Sequence, residues 1–187
     1  VMADMRGSTM LAEEEGRGAY IETLNDFFDA IAAPFNKRGG QILSFMGDGF
    51  LAVYPCDRHR EPSEKAAQET LMATQRAQAR MEGLNARRRA AGRREIGYGI
   101  GLHIGNVMFG NVGLNDRLTF SAFGTAVNEV QRLQMLTKKH SHQVIASEEF
   151  VSYCGGGWIT IGKEKLRGVS KKVTVLYPDM AETGEQE

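Results

Sequence analysis

Two aspartates stand where an apolar run has no use for a charge. Asp4 interrupts Val1-Met2-Ala3-Asp4-Met5, and Asp48 sits in Gly47-Asp48-Gly49, between the apolar segments 41–46 and 50–54. A turn between two apolar runs reads as a hairpin. In a strand-helix-strand-strand unit the first and second strands can be neighbours. The end of the first strand then lies beside the hairpin turn, where Asp4 and Asp48 would converge. Two close carboxylates repel and shift each other's pKa unless a cation sits between them. Such hard oxygen ligands suit Mg²⁺ or Mn²⁺, and Mg²⁺ on one or two carboxylates is completed by substrate phosphates and water. Plainer roles are open to the same residues: Asp4 as a helix cap and Asp48 as a turn residue.

Gly7 supplies flexibility just before a helix start, where backbone N–H groups point outward and favour phosphate. Met5 to Thr9, through Gly7, Ser8 and Thr9, is therefore a candidate phosphate cradle beside the candidate metal, or an ordinary capped helix. Farther along, Asn128 and Arg132 are four residues apart on a helix and share a face. An amide and a guanidinium presented together suit a ribose and a phosphate oxygen, although a simple surface pair has the same spacing.

Other chemistries lack their signatures. No Gly-x-x-x-x-Gly-Lys-Ser/Thr loop occurs. Gly97-x-Gly99-x-Gly101 lies inside a strand, so it is no dinucleotide fingerprint. His59, His103, His140 and His142 have no zinc-ligand spacing, and no serine elbow or Cys–His pattern is present. Lys+Arg and Asp+Glu are both 23, which argues against a general nucleic-acid binder. Arg87-Arg88-Arg89 with Arg93-Arg94 reads as a nucleic-acid patch or, preferably, as a solvated helix end complementing the helix dipole. Cys56 and Cys154 are too few and too far apart for a disulfide framework, so both are expected reduced, in a cytoplasmic domain. No apolar run approaches the roughly 20 residues of a membrane span. A length of 187 residues fits one domain, 1–187. Its abrupt start in a strand implies a piece of a longer protein.

Several elements must position these residues. Residues 1–5 form a strand, and Ser8 or Thr9 is placed to cap the helix that follows. Tyr20, Ile21, Leu24, Phe27, Phe28, Ile31 and Phe35 make its buried stripe, and Pro34 with Gly39-Gly40 closes it. After the hairpin a long helix spans about Ser63 to Arg89, burying Ala67, Leu71, Ala77, Met81 and Leu84. Ile96 to Ile104 alternates with glycines, a strand whose glycine face must meet something very close. Asn106 to Val112 is a further strand ended by Gly113, and Thr125 to Leu136 is a helix with Val127 and Val130 toward the core. Strands near 143–146, 158–162 and 173–177 form the tail. The expected fold is α+β: a ferredoxin-like βαββαβ palm core with two helices on one face, plus a C-terminal αβ extension.

Five landmarks in order resemble the class III nucleotidyl cyclase catalytic domain, the adenylate/guanylate cyclase family. They are Ala3-Asp4-Met5-Arg6-Gly7-Ser8-Thr9, the run from Gly39 to Gly49, Gly99-Ile100-Gly101-Leu102-His103-Ile104-Gly105, Phe109-Gly110-Asn111-Val112-Gly113, and Gly124-Thr125-Ala126-Val127-Asn128 through Arg132. The resemblance covers nearly the whole chain. A palm-type diguanylate cyclase would share the strand order, but Met46-Gly47-Asp48-Gly49 lacks its acidic hairpin.

The resemblance implies two Mg²⁺ or Mn²⁺ ions on Asp4, Asp48 and the Met5 carbonyl. Attack of the ribose 3′-oxygen on the α-phosphorus expels pyrophosphate. Asn128 orients the ribose and Arg132 stabilises the transition state. It further implies a head-to-tail homodimer whose sites each take the aspartates from one chain and the asparagine and arginine from the other, with regulatory domains elsewhere in the full-length protein. The purine is read at the positions of Ser44 and Ser121. Ser44 replaces the lysine usual in adenylate cyclases, and neither serine matches the Glu and Cys typical of guanylate cyclases. ATP is the expected substrate, GTP the alternative, and a catalytically silent dimerisation or nucleotide-sensing module the third reading. A C-terminal basic residue on the triphosphate is sought among Arg167, Lys171 and Lys172.

Overall fold

The computed structural model describes residues 1–57, 59–114, 116–166 and 172–179. Strand β1 (Met2–Arg6) leads into α1 (Ser8–Glu15), α2 (Arg17–Ile31) and α3 (Ala33–Lys37). The hairpin β2 (Gln41–Met46) and β3 (Gly49–Val53) precedes α4 (Arg60–Ala90) and β4 (Gly97–Leu102). Then come β5 (Met108–Leu114), β6 (Arg117–Phe123), α5 (Thr125–Lys139), β7 (Val144–Ser147), α6 (Glu148–Cys154), β8 (Trp158–Glu164) and β9 (Val173–Pro178). Seven strands form one sheet in the order β2-β3-β1-β4-β7-β9-β8, while β5 and β6 pair as a separate ribbon. The first four strands give the ferredoxin-like arrangement. β1 pairs with β3, not with β2 as the sequence allowed: Met2 lies opposite Leu51 and Asp4 opposite Gly49.

Period-two alternation assigns the two faces of β1. Ala3 and Met5 enter the main core with Phe27, Ile31, Phe35, Phe50, Met81 and Ile100, under α2, α3 and α4. Met2 faces the other way, with Leu51, Ala122 and Val130. Asp4 and Arg6 share its side. The two crossover helices thus lie on one face, as the pattern requires, and α5 covers the opposite one. It rests on the glycines of β4. A Cβ on Gly101 would stand 2.6 Å from the Gln134 nitrogen and the Val130 oxygen, and one on Gly99 would stand 2.0 Å from Thr137 Oγ1.

Several local expectations need correction. Gly7, at φ 69°, is the N-cap of α1, and no side chain caps it. Ser8 and Thr9 are instead its first helical residues. The predicted single helix breaks at Gly16 (φ 75°) and at Ala32. Pro34 opens α3, where its missing N–H is harmless, and Gly39 (φ 85°) follows the helix end. In α4, Leu71 is half-buried, while Ala73 and Thr74 are fully buried. β5 runs past Gly113 to Leu114. β6 and α6 have no counterpart in the sequence reading. β6 belongs to a ribbon with much of its apolar surface exposed, which erases the inside–outside alternation. α6 has 7 residues, too few to display a helical period. Cys56 is exposed and Cys154 half-buried, both as free thiols. Among the described residues no helix is long and apolar enough to cross a membrane.

The arginine-rich end of α4 is neither an open patch nor fully solvated. Arg88 is 3% exposed and pairs with Glu15 at the end of α1. Arg93 joins the same carboxylate, Arg94 pairs with Glu14, and Arg89 bridges Glu82 and Glu95. Burial alone would raise the Glu15 carboxyl. Bonds from the Thr23 hydroxyl and Arg88, with the Arg88 and Arg93 charges, outweigh burial and hold it below the usual carboxylate range.

Replacing Glu15 leaves Arg88 buried without its counter-charge. Glu15→Gln is expected to cost about 3 kcal/mol near neutral pH, read by urea unfolding. The folded carboxyl titrates below the unfolded one, so its contribution is complete above the unfolded value of about 4.3. The gap between wild type and variant should close as pH falls through the lowered folded value. Gly101→Ala should cost about 1–3 kcal/mol because its Cβ meets helix backbone. Gly110→Ala, where a Cβ meets nothing within 4 Å, should stay within about 0.5 kcal/mol in the same titration.

Candidate active site

Sheet pairing brings the two aspartates together. Asp4 lies opposite Gly49, the first residue of β3, and the Met5 N–H donates to the Asp48 carbonyl at 3.0 Å. Gly47, at φ 64°, makes the turn. Gly49 makes the approach possible: a Cβ there would stand 2.6 Å from the Ala3 oxygen and 3.4 Å from the Asp4 Cα and Cβ. The carboxyls of Asp4 and Asp48 adjoin each other. Burial pushes the Asp4 carboxyl up to about 6, helped by the neighbouring Asp48 carboxyl, against the Met5 amide.

Asp4 Oδ1 is buried with no hydrogen-bond partner. An orphaned carboxylate oxygen beside a second carboxylate is a donor set for a hard divalent cation, which would relieve both the repulsion and the missing partner. The Met5 side chain is in the core at 4% exposure, so only its backbone is available to such an ion.

Two residues beyond Met5 the chain turns into α1. Gly7 is exposed, and a Cβ on it would meet nothing within 4 Å. The first amides of a helix have no intrahelical acceptor, and here no side chain caps them. Ser8 is half-buried and Thr9 exposed at this open helix start. Tyr20 also reaches the site. Burial, then the charges of Asp48 and Asp4, raise the pKa of its phenol against the neighbouring Ser8 side chain. The sequence reading placed Tyr20 only in a buried stripe. Its polar tip among phenylalanines, isoleucine and leucine was the available signal.

Ser44 reaches the Asp4 face through an irregularity. Ile42 pairs with Ala52, but Ser44 pairs with Leu51, so Leu43 is an extra residue in β2. Without that bulge, Ser44 would share the core-facing side of Ile42, since alternate residues share a face. Ser121 lies in β6 opposite Gly110 and is half-buried, on a strand that packs against β2.

Asn128 is exposed on α5. Arg132 is half-buried; its Nε has no partner and its Nη1 reaches only Met135 Sδ, at 3.4 Å. Among the described residues no hydrogen bond or ion pair joins either side chain to Asp4 or Asp48. Thr137 overlies Gly99, the β4 partner of Asp4, and at about 1.5 Å per residue Asn128 lies about 14 Å farther along the helix. The chain therefore gathers Asp4, Asp48, the Met5 backbone and the start of α1 in one place, and carries Asn128 farther along α5, with Arg132 between that end and Thr137, bonded to neither aspartate. Arg167 and Lys171 lie outside the described residues, and Lys172 is exposed just before β9.

The chain resembles known proteins throughout this region. A family model described as the adenylate and guanylate cyclase catalytic domain matches residues 1–176. The uncharacterized protein Rv1320c of Mycobacterium tuberculosis is 34% identical over 149 residues, 80% of this chain and 24% of its own length. Adenylate cyclase 1 of Rhizobium meliloti is 28% identical over 158 residues, 82% of this chain and 23% of its own length. The chain thus spans about a quarter of these curated relatives. The crystal structure of the adenylyl cyclase CyaB from P. aeruginosa matches with a TM-score of 0.81 at 24% identity, over 94% of this chain and 89% of that one. With residues 1–176 matched and the fold shared, the chain belongs to the family of adenylate and guanylate cyclase catalytic domains.

Proposed function

We propose that the chain converts ATP into 3′,5′-cyclic AMP and pyrophosphate, at sites each completed by two head-to-tail copies. The observation that carries this reading is the adjoining pair Asp4 and Asp48, with an orphaned buried oxygen beside an uncapped helix start. The two carboxylates and the Met5 carbonyl would hold two Mg²⁺ or Mn²⁺ ions, which when bound supply charge neutralisation and activation of the 3′-hydroxyl. The amides at Gly7, Ser8 and Thr9 receive phosphate oxygens. Asn128 fixes the ribose so that O3′ faces the α-phosphorus. As the O3′–P bond forms and the bond to the leaving pyrophosphate breaks, Arg132 meets the negative charge that develops on the phosphoryl oxygens.

The separation of Asn128 and Arg132 from the carboxylates supports the shared site. So does the β5–β6 ribbon, which exposes Met108 at 69%, Leu114 at 71% and Phe120 at 50%. An apolar surface of this kind marks an interaction site. ATP is supported by the Rhizobium relative named an adenylate cyclase, with GTP as the alternative. Ser44 and Ser121 would read the base, each able to donate or accept. Ser44 also favours a second reading, a silent nucleotide-sensing dimerisation module, because serine lacks the reach and charge of lysine. Regulatory domains would occupy the remaining length found in the relatives, and a cytoplasmic setting gives access to nucleoside triphosphate.

Cyclic nucleotide formation with Mn²⁺, tested separately with ATP and GTP, checks this reading. Cyclic AMP as the main product is expected. Cyclic GMP would move the assignment to a guanylate cyclase, and no product from a sample shown to be dimeric would favour the silent module. Asp48→Ala should lower turnover by about 100-fold or more. An equal mixture of Asp48→Ala and Arg132→Ala chains should recover about a quarter of wild-type activity, since half the dimers carry one intact site. Phe120→Glu should give a monomer by analytical ultracentrifugation and lose turnover while retaining its circular dichroism.

A further inference from the structure

Helix α5 is seated partly on glycine. Over β4 it presents Val130, Gln134 and Thr137 to Gly99 and Gly101, while Leu133 packs beside them with Ile145 and Val175. Helices are normally indexed by side chains that interdigitate with those of the neighbouring element. The glycine face of β4 offers no such teeth, so the apolar anchors of α5 are Leu133, among Ile145, Val173 and Val175, and Val130, among Met2, Leu51 and Ala122, and the turn that carries Asn128 begins N-terminal to both.

A polar chain at its N-terminal end supplies an index. Glu129 Oε2 lies 2.9 Å from His103 Nε2, with the two side chains 19% and 7% exposed. His103 Nδ1 lies 2.8 Å from Ser147 Oγ, and Ser147 is fully buried. Ser147 Oγ also accepts the Phe150 N–H, as the N-cap of α6. One arrangement satisfies every group: Ser147 donates its hydroxyl proton to Nδ1, and neutral His103 donates Nε2–H to Glu129. Burial, the largest influence on His103, lowers its pKa and favours this neutral form against the pull of Glu129 and Glu149. The connection after β4 is tight here, since a Cβ on Gly105 would stand 2.8 Å from Ala126 Cβ and 3.1 Å from His103 Nε2. Glu129 adjoins Asn128 and precedes Arg132 by less than one turn.

We infer that Glu129 and His103 are positioning residues: their bond, anchored on Ser147, holds the N-terminal turns of α5 in place and so aims Asn128 and Arg132. The catalytic consequence rests on the cyclase reading above; the tether itself does not.

Two measurements on the dimeric protein separate these. Hydrogen exchange needs no activity. In Glu129→Ala the amides of residues 125–132 should exchange faster, with β4 and α4 unchanged. In steady-state kinetics Glu129→Ala should lower kcat by about 10- to 100-fold with KM for ATP within about twofold of wild type, because misaimed groups are lost mainly at the transition state. Glu129→Gln, whose oxygen still accepts Nε2–H, should restore both readouts. His103→Asn, too short to reach Glu129, should behave as Glu129→Ala does and serves if that variant does not fold. Unchanged exchange in 125–132 would overturn the tether. Unchanged kcat in an active enzyme, or a Gln variant as impaired as Ala, would overturn the positioning role. A wild type that makes no cyclic nucleotide would defeat the cyclase reading and leave the exchange result to decide the tether.

Discussion

Two carboxylates are held side by side at the end of β1, and most of the architecture around that strand serves to keep them there. Repulsion would part Asp4 and Asp48 if they sat on flexible segments. They sit instead on the end of a central strand and on the turn of a hairpin that pairs with it. The Met5–Asp48 backbone hydrogen bond closes the last gap. Gly49 is indispensable to this approach, since any Cβ would strike the Ala3 carbonyl. What remains unresolved electrostatically is the Asp4 oxygen without a partner, a deficit that a cation would remove.

The glycines of β4 impose a second constraint on the opposite side of the same strand neighbourhood. Removing side chains from one face of a strand lets a helix descend until backbone meets backbone. That closeness explains why the positions of α5 over β4 include Gln134 and Thr137, while Val130 and Leu133 join apolar clusters on either side. The two ends of the helix are held by polar bonds. Glu129 and His103 act at the first end. At the other, Arg6 donates to the His142 carbonyl at 2.7 Å, tying the close of β1 to the turn after α5. The strand that carries Asp4 and the helix that carries Asn128 are therefore linked mechanically although their functional side chains stand apart.

Much of the chain was legible because burial leaves a periodic trace. β1, α4, β4 and α5 each present a core-facing pattern, and the glycine alternation of β4 correctly announced a close neighbour. The pattern failed where burial is partial. β6 lies in an exposed ribbon, α6 is shorter than the period needed to reveal it, and the breaks at Gly16 and Ala32 divide one expected helix into three, with the stripe on the last two. Capping was misread because Ser8 looks like a cap, whereas the backbone turn at φ 69° demanded the glycine before it.

The sequence by itself determined the kind of chemistry: which side chains are carboxylate, amide, guanidinium or hydroxyl, and which order of motifs marks the family. Only the tertiary structure decided which of them meet. Asp4 joins Asp48 because β1 pairs with β3, a choice made by long-range hydrogen bonding that local residue types do not encode. Ser44 faces the site because one extra residue in β2 reverses its side. Tyr20 and His103 acquire their neighbours only when distant elements pack. Asn128 stays apart from the aspartates because it lies about 14 Å along α5 from Thr137, the residue that overlies the level of Asp4, with Arg132 about 8 Å along the same axis. Such placements depend on contacts between residues far apart in the chain, and no local spacing rule carries that information.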